Sequence, residues 1–220
     1  MSAEMKAGGP AAGVAAEDAA ARHYHGGVVD DIMVVGVGGQ GVIVAAAVIA
    51  DTAMLHGGLD VKLSETRGMS QRGGSVNSHI RIGETVVAPS ISPGEVDYLL
   101  AFESAEGLRA APSVVPGGVA IVNTQQIVPP LASQGDMSYP FDAAERMAHG
   151  DRRVIVVDGN GIALEVGDLK VAGIVLVGAL STHLPFDVET WHAAIVRNVP
   201  PKWNELNFAA FVAGRQVGAS

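Results

Sequence analysis

A three-layer α/β/α sandwich of Rossmann-like build is the fold this chain predicts, and three observations carry it. Apolar runs of strand length alternate with Ala-rich segments of helical spacing through the first two thirds of the sequence. The run Ile32-Met33-Val34-Val35 is apolar at every position, as a central parallel strand covered on both faces must be. That run leads into Gly36-Val37-Gly38-Gly39-Gln40-Gly41, a glycine turn that opens a helix. The sheet is expected to be mostly parallel and partly mixed, with a C-terminal helical segment.

Residues 1–27 are rich in Ala and Gly, contain Pro10 and close on His23-Tyr24-His25. They read as a flexible tail, and residues 28–220 as a single domain. The first strand is expected over 32–37 and the first helix over 41–55, ending at Gly57-Gly58. A short strand over 61–63 follows. Residues 76–82 alternate polar and apolar, so one face is half exposed, and Gly83-Glu84 turns them back into Thr85-Val86-Val87 as a hairpin. Further strands are expected over 96–102, 118–123 and 154–158, with helices over 105–111 and 143–149. Asp158-Gly159-Asn160 ends a parallel strand, where α/β ligands often sit, but reads rather as a turn. Three helices close the chain, over 168–182, 188–198 and 202–213, punctuated by Pro185 and by Pro200-Pro201.

The bulk composition excludes several functions. Hydrophobic residues make up 48% and charged residues 17% of the 220, a composition that buries a core. The formal net charge of −9 argues against duplex nucleic acid or anionic lipid as the main partner. There is no cysteine, which excludes disulfides, thiolate catalysis and cysteine-ligated iron–sulfur clusters on this chain and fits a cytoplasmic protein. The apolar stretches are too short to span a bilayer, and the N-terminus lacks a signal-peptide layout.

Two segments concentrate groups suited to chemistry. Gly36, Gly38 and Gly41 hold the G-x-G-x-x-G spacing, with Gly39 and Gln40 between them, so backbone can approach a ligand and amides can face an anion. These five are candidate cofactor-binding residues. An acidic ribose ligand is expected near the end of the second strand, and Asp60 and Glu65 bracket that place. The loop Glu65-Thr66-Arg67-Gly68-Met69-Ser70-Gln71-Arg72-Gly73-Gly74-Ser75 gathers two arginines on an acidic chain. Arg72 is suited to a bidentate bond with a carboxylate or phosphate, and Glu65 to orienting it or accepting a proton. Glu65, Arg67, Gln71 and Arg72 are the candidate catalytic residues. Gly68, Met69, Ser70, Gly73, Gly74 and Ser75 are candidates for cofactor contact. His79 reads as a surface histidine, and His56, His149, His183 and His192 show no metal-ligand spacing. Lys202-Trp203-Asn204 reads as the structural opening of the last helix.

The turn GVGGQG, followed after one helix by E-x-x-GMSQRGGSV, resembles the gamma subunit or domain of 2-oxoacid:ferredoxin oxidoreductases. Within that family it is most similar to the beta subunit of indolepyruvate ferredoxin oxidoreductase. VAGIVLVGAL over 171–180, Leu184-Pro185 and NFAAF-x-x-G over 207–214 resemble it as well, so the likeness runs from about residue 30 to residue 217. The resemblance implies a heteromer. A larger alpha subunit carries thiamine diphosphate and the iron–sulfur clusters, and this chain binds no cofactor tightly. The implied reaction is oxidative decarboxylation of an aromatic 2-oxoacid such as indolepyruvate, with coenzyme A as co-substrate and ferredoxin or another acceptor taking the electrons. The loop over 65–75 then faces the partner's active site, and Gly36 to Gly41 form a phosphate rim. Before Gly68 the family pattern often has histidine where this chain has Arg67, and a fixed positive charge there changes how an anion is met. A stand-alone nucleotide- or coenzyme A-binding module and an NAD-dependent dehydrogenase are the alternatives.

Overall fold

The structure, a computed structural model, describes residues 30–67, 74–128 and 138–219. The tail expected over 1–27 lies outside the described residues, and so do Gly68, Met69, Ser70, Gln71, Arg72 and Gly73.

The strands are β1 (Asp30–Val37), β2 (Asp60–Arg67), β3 (Ser75–Gly83), β4 (Val96–Ala101), β5 (Val114–Asn123) and β6 (Arg153–Val157). They form one six-stranded sheet in the order β2-β3-β1-β4-β5-β6. β1, β4, β5 and β6 run parallel, and β3 is antiparallel to both its neighbours. The helices are α1 (Val42–His56), α2 (Ser104–Ala110), α3 (Ala143–Ala148), α4 (Gly159–Val166), α5 (Ala172–Leu180), α6 (Val188–Asn198) and α7 (Asn204–Gly218).

The unbroken apolar run of β1 is explained by its two covered faces. Ile32 and Val34 join the larger core with α1, α5, α6 and α7, while Met33 and Val35 join a second core with residues of α2 and α3. The expected three layers and mixed sheet are therefore present, with most of the helical mass on one face.

Four expected elements differ. Residues 76–82 do pair in a hairpin, but with β2, from Asp60 opposite Gly83 to Arg67 opposite Val76. β2 is an edge strand whose backbone ladder continues past Leu63, where the apolar signal stops, because ladder bonds do not depend on apolar side chains. Residues 84–95, expected to supply the hairpin partner, instead form an irregular strap. Arg81 donates to the Ala88 and Ser90 carbonyls (3.4 and 3.3 Å) and grips Asp31 bidentately (2.7 and 2.9 Å). The buried Ile91 sends its N–H to His79 Nδ1 at 3.0 Å, so His79 is half-buried rather than a free surface residue. Asp158-Gly159-Asn160 is not a turn but the start of α4, with the Asp158 carboxylate accepting from Gly161 N at 2.9 Å. The helix expected over 168–182 is α5 flanked by two 3₁₀ turns.

α5 is buried along its length from Gly173 to Leu180, and α7 lies across it at close range. Glycines make this approach: a Cβ at Gly178 would strike the Phe211 carbonyl, one at Gly214 the Val175 carbonyl, and one at Gly218 the Ala179 carbonyl. The obstacle is rigid backbone each time, so no rotamer change relieves it.

Gly214→Ala is expected to destabilise the fold by about 1–3 kcal/mol, read as a lowered urea midpoint with an unchanged denaturant slope. A second expectation concerns pH. Burial pushes the His79 imidazolium below the ordinary histidine value, with Asp31 opposing and Arg81 adding to the effect. Burial first, and Arg153 second, do the same for His183. Both folded-state values are depressed, so the stability they contribute is present above the unfolded value of 6.5 and is lost as pH falls through the folded values. Thermal melts taken from about pH 7.5 to about pH 5 should fall. His79→Asn, which keeps an acceptor for Ile91 but does not titrate, should make the fall shallower.

Candidate functional site

The turn between β1 and α1 needs its glycines for two separate reasons. Gly39 and Gly41 have φ of 101° and 90°, a left-handed backbone that side chains disfavour. Gly36 has an ordinary φ but no room: a Cβ there would sit 2.8 Å from Gln40 Oε1, Phe102 Cβ and Val42 Cγ2. Gly38 N–H then donates to the Gly74 carbonyl at 2.9 Å. This bond joins the two segments singled out in the sequence, because the β1–β3 register ends with Val37 opposite Ser75.

The other candidates are placed by β2 and β3. Glu65 is exposed on β2 opposite Ser78, and Arg67 ends β2 opposite Val76. Ser75 Oγ donates to Glu106 Oε2 at 2.7 Å, which ties the start of β3 to α2. Gln71 and Arg72 lie outside the described residues. β3 separates β2 from β1, so Glu65 stands two strands away from the glycine turn, a span of about 10 Å.

Gln40 is a strut. Its Oε1 accepts from Val37 N at 2.6 Å, and its Nε2 donates to the Phe102 carbonyl at 3.1 Å and to Gln125 Oε1 at 2.7 Å. Both side-chain donors are thus engaged within the protein. Asn123 is a second, buried strut: its Oδ1 accepts from Gly159 N at 3.1 Å, and its Nδ2 donates to the same Phe102 carbonyl at 3.1 Å and to Asn160 Oδ1 at 3.2 Å. The ends of β1, β4 and β5 and the start of α4 are therefore pinned to one carbonyl oxygen.

On the α2 side, buried Glu103 accepts from Glu106 N, Ile127 N and the Tyr139 hydroxyl. Burial, then the Glu103 carboxylate, pushes the Tyr139 phenol up to about 12, so it remains a donor at neutral pH.

Two adjoining clefts open beside the glycine turn. The first, about 370 Å³, is lined by Gly39, Gln40, Gly41, Gln125, Asn160 and Lys170 among others. The second, about 210 Å³, shares Gln40, Gly41, Lys170 and Gly173 but is otherwise mostly apolar, with Val44, Ile174, Val199 and Trp203 in its wall. They lie where the chain passes from α1 on one face to α2 on the other, the place where open α/β sheets admit ligands. Lys170 is exposed, stands 3.7 Å from Asp168 Oδ2 and lies 5.2 Å from the Trp203 ring centre. Sequence reading missed Gln125 and Lys170, which carry no motif, favoured a simple turn at Asn160 over a binding role, and treated Trp203 as structural. A hint was available for Asn160, which follows a parallel strand end. Among the described residues no His, Cys, Asp or Glu cluster could hold a metal ion, and no helix is long and apolar enough to cross a membrane.

The sequence model of the pyruvate ferredoxin/flavodoxin oxidoreductase family matches residues 31–217. The chain belongs to this family. It is 39% identical over 188 residues to the indolepyruvate oxidoreductase subunit IorB of Archaeoglobus fulgidus, covering 84% of this chain and 92% of that one. It is 29% identical over 194 residues to the 2-oxoglutarate synthase subunit KorC of Methanothermobacter marburgensis, covering 85% and 95%. Among solved structures, the gamma subunit of the keto/oxoacid ferredoxin oxidoreductase from Geobacter sulfurreducens superposes with a TM-score of 0.65 at 25% identity, covering 86% of this chain and 98% of that one. The family match spans the sheet and the C-terminal helices alike, so both cleft walls belong to the shared fold.

Gln40→Leu tests the strut. It strands the Val37 N–H and removes two donors, and it is expected to destabilise the chain by about 1–3 kcal/mol in urea denaturation. Native-state hydrogen exchange should quicken first at the ends of β1 and β4, and the N-terminal halves of those strands should keep their protection.

Proposed function

We propose that this chain is the non-redox subunit of a 2-oxoacid:ferredoxin oxidoreductase acting on an aromatic 2-oxoacid such as indolepyruvate. The observation that carries the reading is the 39% identity, over nearly the whole of both chains, to an indolepyruvate oxidoreductase subunit. The lower identity, 29%, to a 2-oxoglutarate synthase subunit favours the aromatic substrate.

The partner is a larger alpha subunit carrying thiamine diphosphate and iron–sulfur clusters. With no cysteine, this chain offers no thiolate to a cluster. Glu65, Arg67, Gln71 and Arg72 lie on or follow the β2 end and are proposed to meet the partner's active site, where an arginine suits the carboxylate of the 2-oxoacid. The bond from Gly38 to Gly74 supports this, since it sets the end of that loop against the glycine turn. Coenzyme A is proposed to contact this chain at the turn Gly36 to Gly41, of which Gly39, Gln40 and Gly41 line the cleft. When bound, it supplies the thiol that takes the acyl group. Gly68, Met69, Ser70, Gly73, Gly74 and Ser75 are proposed to border that contact. The electrons leave through the partner to ferredoxin or another acceptor. A cytoplasmic setting is proposed with this assignment.

A nicotinamide dehydrogenase is less well served. In that design an acidic side chain at the end of the second strand binds the ribose from the strand next to the glycine turn. Here β3 intervenes and the edge position belongs to β2.

The chain by itself should not oxidise indolepyruvate, and pull-down should recover a thiamine- and iron–sulfur-containing subunit. In the reconstituted complex Arg72→Ala should lower kcat/KM by about 10²-fold or more, as expected for loss of a bidentate contact to a charged substrate, while the circular dichroism of the chain stays unchanged. Full turnover by the isolated chain would end this reading.

A further inference from the structure

The hydrogen-bond directions around Phe102 decide which way four side-chain amides face. Backbone N–H groups only donate and backbone carbonyls only accept, so Gln40 and Asn123 have no freedom of orientation. Val37 N–H forces Gln40 Oε1 toward β1, and the Phe102 carbonyl takes its Nε2. Gly159 N–H forces Asn123 Oδ1 toward α4, and the same carbonyl takes its Nδ2. Each NH₂ has one hydrogen left, and each spends it on a second amide: Gln40 on Gln125 Oε1, Asn123 on Asn160 Oδ1. Both outer amides are therefore met at oxygen. Their nitrogens, Gln125 Nε2 and Asn160 Nδ2, have no acceptor among the described residues, and both residues line the 370 Å³ cleft.

Two relays thus end in outward donors on one cavity. Lys170, which stands 3.7 Å from Asp168 Oδ2, adds a cation to the same wall, and none of the residues that line it is Asp or Glu, on a chain with a net charge of −9. A cleft that offers donors and one positive charge selects a group that only accepts. We propose that this cleft is an oxyanion subsite in which Gln125 Nε2, Asn160 Nδ2 and Lys170 Nζ receive a phosphate or carboxylate group. The adjoining apolar cleft, walled by Val44, Ile174, Val199 and Trp203, receives whatever apolar part that ligand carries. The inference deepens the reading of the glycine turn given above, but its test needs no partner subunit.

Isothermal titration of the full chain with pyrophosphate, and separately with pyruvate, tests the proposal. Asn160→Asp and Gln125→Glu are suitable variants because each keeps the oxygen that accepts from the inner strut and puts an anionic oxygen where the donor stood. The wild-type chain should bind at least one of the two probes in the millimolar range or better. Each variant should weaken that binding about tenfold or more, whereas Lys202→Ala, a cation outside this cleft, should leave it unchanged. Circular dichroism of each variant reports the fold, and either variant alone suffices if the other does not fold. Preference for pyrophosphate assigns the subsite to a phosphate, and preference for pyruvate to a 2-oxoacid carboxylate. Binding of neither probe, or binding that survives both variants, overturns the proposal. Because the titration uses the chain alone, its failure is separable from failure of the pull-down.

Discussion

The carbonyl oxygen of Phe102 accepts one bond from Gln40 and one from Asn123, and the upper end of the sheet is organised around it. Strand ends are where a parallel sheet has groups without ladder partners, and here they are gathered by two side-chain amides. Each such bond contributes only about 1 kcal/mol net, but losing a partner for a buried group costs about 1–3 kcal/mol. The asymmetry explains why the arrangement holds: every inner donor and acceptor of the two struts is matched. It also explains why the glycines of the turn cannot be replaced at Gly36, where Gln40, Phe102 and Val42 close around the missing side chain.

The same network connects fold to function. A strut that faces inward with all its atoms bonded fixes the polarity of the amide beyond it. The amides of the site are thereby oriented by fixed backbone groups, the Val37 and Gly159 N–H and the Phe102 carbonyl. α5 supports it from below: Gly173 lets the helix approach until a Cβ would meet the Phe102 ring, and the Gly178–Gly214 crossing holds α5 against α7. Packing of C-terminal helices thus sets the second wall of a cleft whose first wall is the N-terminal turn.

Legibility followed the strength of local signals. β1 and its turn could be read because a strand buried on both faces is apolar throughout, and because φ above zero calls for glycine. α6 was read to the residue, since Asp187 caps it and Val199-Pro200 ends it. β2 was cut short because an edge strand carries Lys62, Ser64 and Thr66 without harm to its ladder. α4 was lost to its own cap, since Asp-Gly-Asn is equally the composition of a turn. Gln125 and Lys170 could not be read, because each is an ordinary polar residue, and Asn160 was hidden in a turn-like triplet; the meaning of Gln125 and Asn160 comes from hydrogen bonds to residues 85 and 37 positions distant.

The sequence by itself determined the layered α/β class, the central strand, the glycine turn and the membership signalled by two motifs in order. These are properties of short windows, where side-chain period and backbone stereochemistry act on neighbours. Only the tertiary structure decided that β3 lies between β1 and β2, that Gly38 bonds Gly74, and that Gln40 is held inward while Gln125 and Asn160 are turned out. Those outcomes depend on which strand ends meet, and hydrogen-bond direction is set by the partner, not by the residue that carries the amide.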